Sequence, residues 1–372
     1  MTLPAPSPAS PLVMVAAGGT GGHLFPAEAL SAALAKRGIA TALATDSRAA
    51  KYNEHFTAMH VVPSDTLRGR DPVSVIRTAL TLAFGLGKAA MVMRKVKPSV
   101  VVGFGGYPSV PPVVVAGAMK IPTVLHEQNA VMGRANRYLA SKVSAIATGF
   151  AGVTDHDKAL AIKTTCIGNP LRPAVLAAAG TLYPAIEPNG PLHLLVFGGS
   201  QGARIMADIV PPAVAKLPPH LQMRLKIVQQ VREEDIPRVR DVYTRAQVAH
   251  DIAPFFSDLP ARMAAAHLVV SRSGAGTVSE LSAIGRPAIL VPLPHALDQD
   301  QAANAAVLEK AGGAIRILQK DFTPDRLAAE IDALAADPQR LAGMAARAKG
   351  IGVLDAADRL ADLVLKVARV AA

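Results

Sequence analysis

The strongest constraint on the fold is a pattern that occurs twice. Leu12-Val-Met-Val-Ala-Ala17 is a short apolar run, Gly18-Gly-Thr-Gly-Gly-His23 follows, and a helical pattern runs from about Leu24 to Arg37. Pro26 and Glu28 suit the first turn of that helix, and Lys36-Arg37-Gly38 suits its end. Some 180 residues later the order repeats, with Leu192–Phe197, then Gly198-Gly-Ser-Gln-Gly202, then a helix over Ala203–Leu217. A strand, a glycine-rich turn and a helix make half of a βαβ unit. Ile39–Thr45, Ser99–Val102, Thr123–His126, Leu225–Gln229, His267–Ser271 and Ala288–Val291 are predicted strands, and Asp355–Ala372 is a predicted closing helix. The pattern predicts an α/β chain of two Rossmann-like domains, residues 1–170 and 171–354, with parallel sheets facing a cleft where strand ends meet. The first part of the proline-rich stretch Gly168–Pro191 is the expected linker.

Composition narrows the class. With 372 residues, 51% hydrophobic and 18% charged, the chain is too apolar to be disordered and long enough for two cores. Cys166 is its only cysteine, which excludes a disulfide framework or a cysteine-rich zinc site and fits a cytoplasmic compartment. Met1–Pro11 carries no Lys or Arg and is not expected to be a secretory signal. Pro98–Met119 is free of charge but broken by glycines and prolines, so a buried strand, a loop and a helix are expected there rather than a membrane span. The net charge of +11 is uneven: residues 1–170 hold 17 Lys/Arg against 8 Asp/Glu, and residues 171–372 hold 22 against 20. A basic half suits an anionic partner. The absence of Trp and the 4% aromatic content speak against nucleic acid.

Several motifs carry chemistry. A glycine-rich turn ahead of a helix lets backbone N–H groups and the helix dipole meet an anion. No P-loop is present, and Gly19-Thr-Gly21-Gly-His-Leu24 lacks the third glycine of a dinucleotide fingerprint, despite Asp46 at a suitable distance. Ser271–Glu280 is a third glycine turn; Glu280 is either the end of a Thr277-x-x-Glu280 capping box or a carboxylate for ribose hydroxyls at a helix start. His126-Glu-Gln-Asn129 puts four polar residues at a strand end, either as ligand groups or as a polar loop. Asp298-Gln-Asp300 and Asp155-His-Asp157 have a metal-like spacing but no third ligand. His23, at a helix N-terminus, is either a neutral imidazole able to act as a base or a structural hydrogen bonder. Arg68–Lys97 is basic, with Val73, Ile76, Leu80, Phe84 and Met91 at helical spacing; it either lies on an anionic bilayer, with Arg68 and Arg70 contributing, or turns that stripe to the core.

Taken together and in order, Gly18–Pro26, Gly103-Phe-Gly-Gly-Tyr-Pro108, His126–Asn129, Gly168-Asn-Pro-Leu-Arg172, Gly198–Arg204 and Arg272–Glu280 resemble the MurG family of peripheral-membrane N-acetylglucosaminyltransferases over nearly the whole chain. The resemblance implies a GT-B fold whose C-terminal helix, about 355–372, packs back on the first domain. It implies inverting transfer of GlcNAc from UDP-GlcNAc to the MurNAc C4 hydroxyl of lipid I at the cytoplasmic face of the inner membrane, with no metal or other cofactor. It further implies a donor site built from Ser200 on the pyrophosphate, the Phe256 backbone on uracil, Ala275, Gly276, Thr277, Val278 and Ser279 along phosphates and sugar, Glu280 on the ribose and Gln301 on GlcNAc. Thr20, Gly21, Gly22 and Asn129 would reach the donor sugar, and Arg172 the phosphates. His23 is the expected base, with Glu127 as alternative base or orienting partner. Two positions depart from the family pattern: Ala207-Asp208, where an Asn is common, and Asp300, where His or Gln is common. Other readings are another GT-B sugar enzyme, such as a glycolipid synthase or an epimerase, a UDP-sugar-binding scaffold and, more distantly, a dehydrogenase.

Overall fold

The computed structural model describes residues 11–18, 21–46, 56–64, 72–199, 202–294 and 299–369, with only the backbone of 72–79. The chain divides into two compact units, residues 1–172 with 354–372, and residues 173–353.

The first unit holds a seven-stranded parallel sheet: β1 Leu12–Ala16, β2 Ala40–Thr45, β3 Ala58–Val61, β4 Val100–Gly103, β5 Thr123–Glu127, β6 Ala145–Thr148 and β7 Thr164–Cys166, in the order 3-2-1-4-5-6-7. The second holds six parallel strands: β8 Leu192–Phe197, β9 Leu225–Gln230, β10 Ala249–Ala253, β11 Leu268–Ser271, β12 Ala288–Leu290 and β13 Ala314–Arg316, in the order 10-9-8-11-12-13. Counted from the first strand of each unit, the second order repeats the first, 3-2-1-4-5-6, with the direction of travel reversing between the first and fourth strands. That reversal leaves a crevice at the carboxyl ends of those strands, where open α/β sheets bind ligands.

The central strands are continuous apolar runs because helices cover both faces of each sheet. Leu192–Phe197 forms as expected from the sequence, and the charge-free stretch from Pro98 becomes β4, a glycine turn, a short 3₁₀ turn at Tyr107–Ser109 and the helix Val110–Ala118. Pro111 and Pro112 fall in the first turn of that helix, where a missing N–H costs nothing. Among the described residues, no helix is long and apolar enough to cross a membrane. The closing helix spans Ala356–Val367 and belongs to the first unit. Its Leu360, Ala361, Val364 and Leu365 share a core with Leu24, Leu30 and Leu34. Arg37 fastens it by donating to Asp362 at 2.5 Å and pairing with Asp358 at 3.5 Å.

Candidate functional site

In the first unit, the exits of β1, β4 and β5 converge. Gly18 follows β1; a Cβ there would meet Pro108 and the Thr45 hydroxyl at 3.0 Å, so Gly18 packs directly on the Gly103–Pro108 turn. The helix Gly21–Ala35 starts within that loop and carries His23 in its first turn. Gly106, at φ +70°, lies against the imidazole: a Cβ there would sit 3.4 Å from His23 Cε1. Burial pushes the His23 pKa below the ordinary value, with the Gly18 backbone acting against it. The ring is therefore neutral near pH 7. Thr20 lies outside the described residues.

The four polar residues leaving β5 form a network. His126 is fully buried and shares its Nε2 with the Gly168 carbonyl at 3.2 Å and its Nδ1 with Gln128 Nε2 at 3.0 Å. Burial lowers its pKa to about 4. Glu127, 2% exposed, accepts four hydrogen bonds. Oε1 takes the Asn129 backbone at 2.9 Å and its side chain at 3.2 Å, and Oε2 takes the Gly133 backbone at 2.9 Å and Asn136 Nδ2 at 2.8 Å. Burial pushes its carboxyl pKa up while these four donors pull it down. With both oxygens engaged, Glu127 is arranged to shape the loop that presents Asn129. Asn169 donates to the Gln128 carbonyl at 2.9 Å, and the Arg172 guanidinium stacks on Phe25 at 4.5 Å. The first four sequence motifs, far apart along the chain, thus gather at one end of one sheet.

In the second unit, Gly198 and Gly199 leave β8, and Ala203 is the N-cap of the helix Arg204–Ala215. Gly199 and Gly202 have φ of +90° and +67°, which require glycine. Ser200 lies outside the described residues. At the family-divergent position, Asp208 pairs with Arg238 at 2.7 Å, and Arg238 also holds Asp235 and the Ala207 carbonyl. Phe256 is buried, with the Arg262 guanidinium 4.3 Å above its ring.

The third glycine turn follows β11. The helix Ala275–Ile284 has Gly274 as N-cap and no side-chain cap. This overturns the capping-box reading: Thr277 is already the third helical residue and Glu280 the sixth. Glu280 is therefore not at the helix start but over a turn in, half-buried beside Ser279. Gly276 is exposed, Thr277 half-buried, and Ala275 and Val278 face inward, so Val278 has only its backbone to offer a ligand. Arg272, 9% exposed, donates to the Val291 and Pro292 carbonyls at 3.0 and 3.1 Å and to Gln319 at 2.6 Å. Ser273 donates to the Gln301 carbonyl at 2.8 Å, and Leu293 N–H to Gln301 Oε1 at 3.1 Å. These bonds set Gln301, the second residue of the helix Asp300–Lys310. The Asp300 side chain accepts from the Gln301 backbone at 2.9 Å.

Of the residues with metal-like spacing, Asp157 caps the short helix Lys158–Ala161, and Asp298 lies outside the described residues. Among the described residues, no three His, Cys, Asp or Glu are grouped to hold a metal.

The basic stretch forms the helix Pro72–Val96. Its core side is Ala89, Val92 and Met93. The stripe read from the sequence faces outward where it is described: Leu80 and Phe84 are each 66% exposed and Met91 57%. This corrects the alternative that the stripe turns to the core. Arg68 and Arg70 lie outside the described residues, as do the side chains of Val73 and Ile76.

The sequence motifs did not include Asn136, Gln230 or Asn304, which hold the motif loops through hydrogen bonds with distant residues. The one local signal is a polar residue closing an apolar strand, as Gln230 does in β9.

Residues 13–148 match the N-terminal domain of glycosyltransferase family 28, and residues 193–360 match its C-terminal domain. The chain belongs to glycosyltransferase family 28. It is 62% identical over 365 residues, 98% of each chain, to a Rhodopseudomonas palustris family member named UDP-N-acetylglucosamine–N-acetylmuramyl-(pentapeptide) pyrophosphoryl-undecaprenol N-acetylglucosamine transferase. A Nitrobacter hamburgensis protein of the same name is 59% identical, covering 97% of this chain and 98% of its own. The crystal structure of Acinetobacter baumannii MurG superposes with a TM-score of 0.79 at 27% identity, covering 96% of this chain and 99% of that one. A Neisseria meningitidis UDP-GlcNAc 2-epimerase superposes at 0.67 with 14% identity over 95% and 99%, a likeness of fold alone. The family 28 chain thus has the two Rossmann-like units of GT-B glycosyltransferases.

Proposed function

We infer that this chain transfers N-acetylglucosamine from UDP-GlcNAc to the MurNAc C4 hydroxyl of lipid I, giving lipid II and UDP in peptidoglycan synthesis. The observation that carries this is 62% identity, end to end, to a transferase named for that reaction.

The second unit takes the donor. Two helices of ten or more residues, Arg204–Ala215 and Ala275–Ile284, begin at glycine turns with no acidic residue in their first turns, which suits a pyrophosphate. Ser200 and the Ala275–Ser279 turn hold phosphates and sugar, Glu280 the ribose hydroxyls, the Phe256 backbone the uracil edge, and Gln301 the GlcNAc hydroxyls. The first unit takes the acceptor. Thr20, Gly21, Gly22 and Asn129 meet the sugars, and Arg172 meets phosphate.

In the reaction, the acceptor oxygen attacks C1 of the α-linked donor from the opposite side, and the C1–O bond to UDP breaks. His23 takes the hydroxyl proton; its burial keeps it neutral and able to do so. The negative charge arriving on UDP is met by helix N-termini and Arg172. Glu127 is a positioning residue, since its oxygens already serve Asn129, Gly133 and Asn136. The acceptor is a lipid, so the exposed Leu80, Phe84 and Met91, with Lys88 and Lys95 on the same helix, are assigned to the cytoplasmic face of the inner membrane as a peripheral anchor.

The test is incubation with UDP-GlcNAc and a lipid I analogue, following UDP release and disaccharide formation. Acceptor-dependent release with one β-1,4-linked disaccharide per UDP is expected. UDP release without disaccharide, or no release at all, would overturn the reading.

A further inference from the structure

We propose that Gln230 is a positioning residue for the nucleotide, holding the glycine loop on the phosphate side and the segment on the base side at one fixed spacing. The inference rests on the assignment of the second unit to UDP-GlcNAc.

β9 lies between β8 and β10, and Gln230 is its last residue, 8% exposed. Its Oε1 accepts from the Gly198 N–H at 3.1 Å, and its Nε2 donates to the Pro254 carbonyl at 3.1 Å. Gly198 is the first residue beyond β8, and Pro254 the first beyond β10. One amide thus spans the exits of both neighbouring strands, past the point where the backbone ladder ends. Such a bridge needs an acceptor and a donor at the tip of one side chain. A carboxylate would set oxygen against the Pro254 carbonyl, and an apolar chain of equal length would leave the Gly198 N–H without this partner.

Both segments are closely packed where they are described. A Cβ on Gly198 would lie 2.2 Å from the Ala203 nitrogen, so Gly198 sits directly against the residue that caps the following helix. The Pro254 segment is anchored at its other end by Phe256, buried under Arg262. Gln230 joins the two by hydrogen bonds. A nucleoside diphosphate touches both pieces and feels their spacing; a nucleoside touches only the base-side piece.

The test is calorimetric titration of wild type, Gln230→Met and Gln230→Asn with UDP and with uridine, alongside thermal midpoints and steady-state kinetics. Gln230→Asn keeps both polar groups one methylene short, and so provides a reading should Gln230→Met fail to fold. We expect the Kd for UDP to rise about tenfold while that for uridine rises no more than about twofold. The KM for UDP-GlcNAc should rise with the KM for lipid I unchanged. Equal weakening of UDP and uridine would mean general loosening and would overturn the proposal, as would unchanged UDP binding. Absence of UDP binding by the wild type would instead overturn the assignment of the unit, and the proposal with it.

Discussion

At the scale of single residues, two neighbours in function differ in how they are held. His23 sits in a first helical turn against Gly106, while Glu127 is saturated by four donors. His23→Ala should lower kcat by about 100- to 10,000-fold with UDP-GlcNAc binding retained. Because burial lowers the His23 pKa, its base form persists to lower pH than a free imidazole. The acid limb of kcat/KM should therefore lie below about pH 6.5; a limb at or above that value would count against His23 as base. Glu127→Gln turns an acceptor into a donor facing donors. We expect a lower thermal midpoint and reduced turnover, with the acid limb still present in the activity that remains. Loss of that limb would make Glu127 the base. The motifs announced that polar groups gather here, but nothing local in the sequence showed that Asn136, nine residues beyond Glu127, would take up one of its oxygens.

At the scale of elements, the strands that the periodicity found are mostly central, and those it did not find are mostly edges. β3 and β7 close one sheet, β10 and β13 the other. β10, Ala-His-Asp-Ile-Ala, is exposed or half-exposed along its length, so it has no apolar run to betray it. The capping-box pattern at Thr277 misled for a related reason. Gly274 starts that helix three residues earlier, and the turn leaving β11 dictates the start rather than side-chain capping. For the helix Pro72–Val96, spacing alone identified a stripe but not its direction. Because Leu80 and Phe84 are exposed, Leu80→Ser with Phe84→Ser should weaken binding to phosphatidylglycerol vesicles about tenfold or more. Binding should also fall with added salt, since Lys88 and Lys95 lie on the same helix. Unchanged sedimentation with vesicles would remove this helix from the membrane surface.

At the scale of the whole molecule, the chain holds buried and half-buried histidines in neutral form. His126, held at about 4, and His23, His193 and His267, all lowered chiefly by burial, bind protons more readily in the unfolded chain. Their contribution to stability is complete above about pH 6.5 and is lost as pH falls toward about 4. His126 alone accounts for about 3 kcal/mol of that change. Urea midpoints should thus fall steadily from pH 7 to pH 5; a flat profile would show that these rings are not buried neutral.

The doubled strand–glycine loop–helix order, by itself, determined two α/β units with ligand groups at strand ends, because glycine turns and continuous apolar runs are local properties. The tertiary structure alone decided which groups face one another. The sheet order of the first unit puts residues from four separate motifs at one end of one sheet, and strand adjacency in the second lets Gln230 reach both Gly198 and Pro254. It also decided burial against type: Arg286, 1% exposed, bonds carbonyls of Leu182, Ala264, Ile284 and Gly285. A charged side chain inside the protein is stable only where such acceptors meet it, and those acceptors lie as far as 104 residues away along the chain.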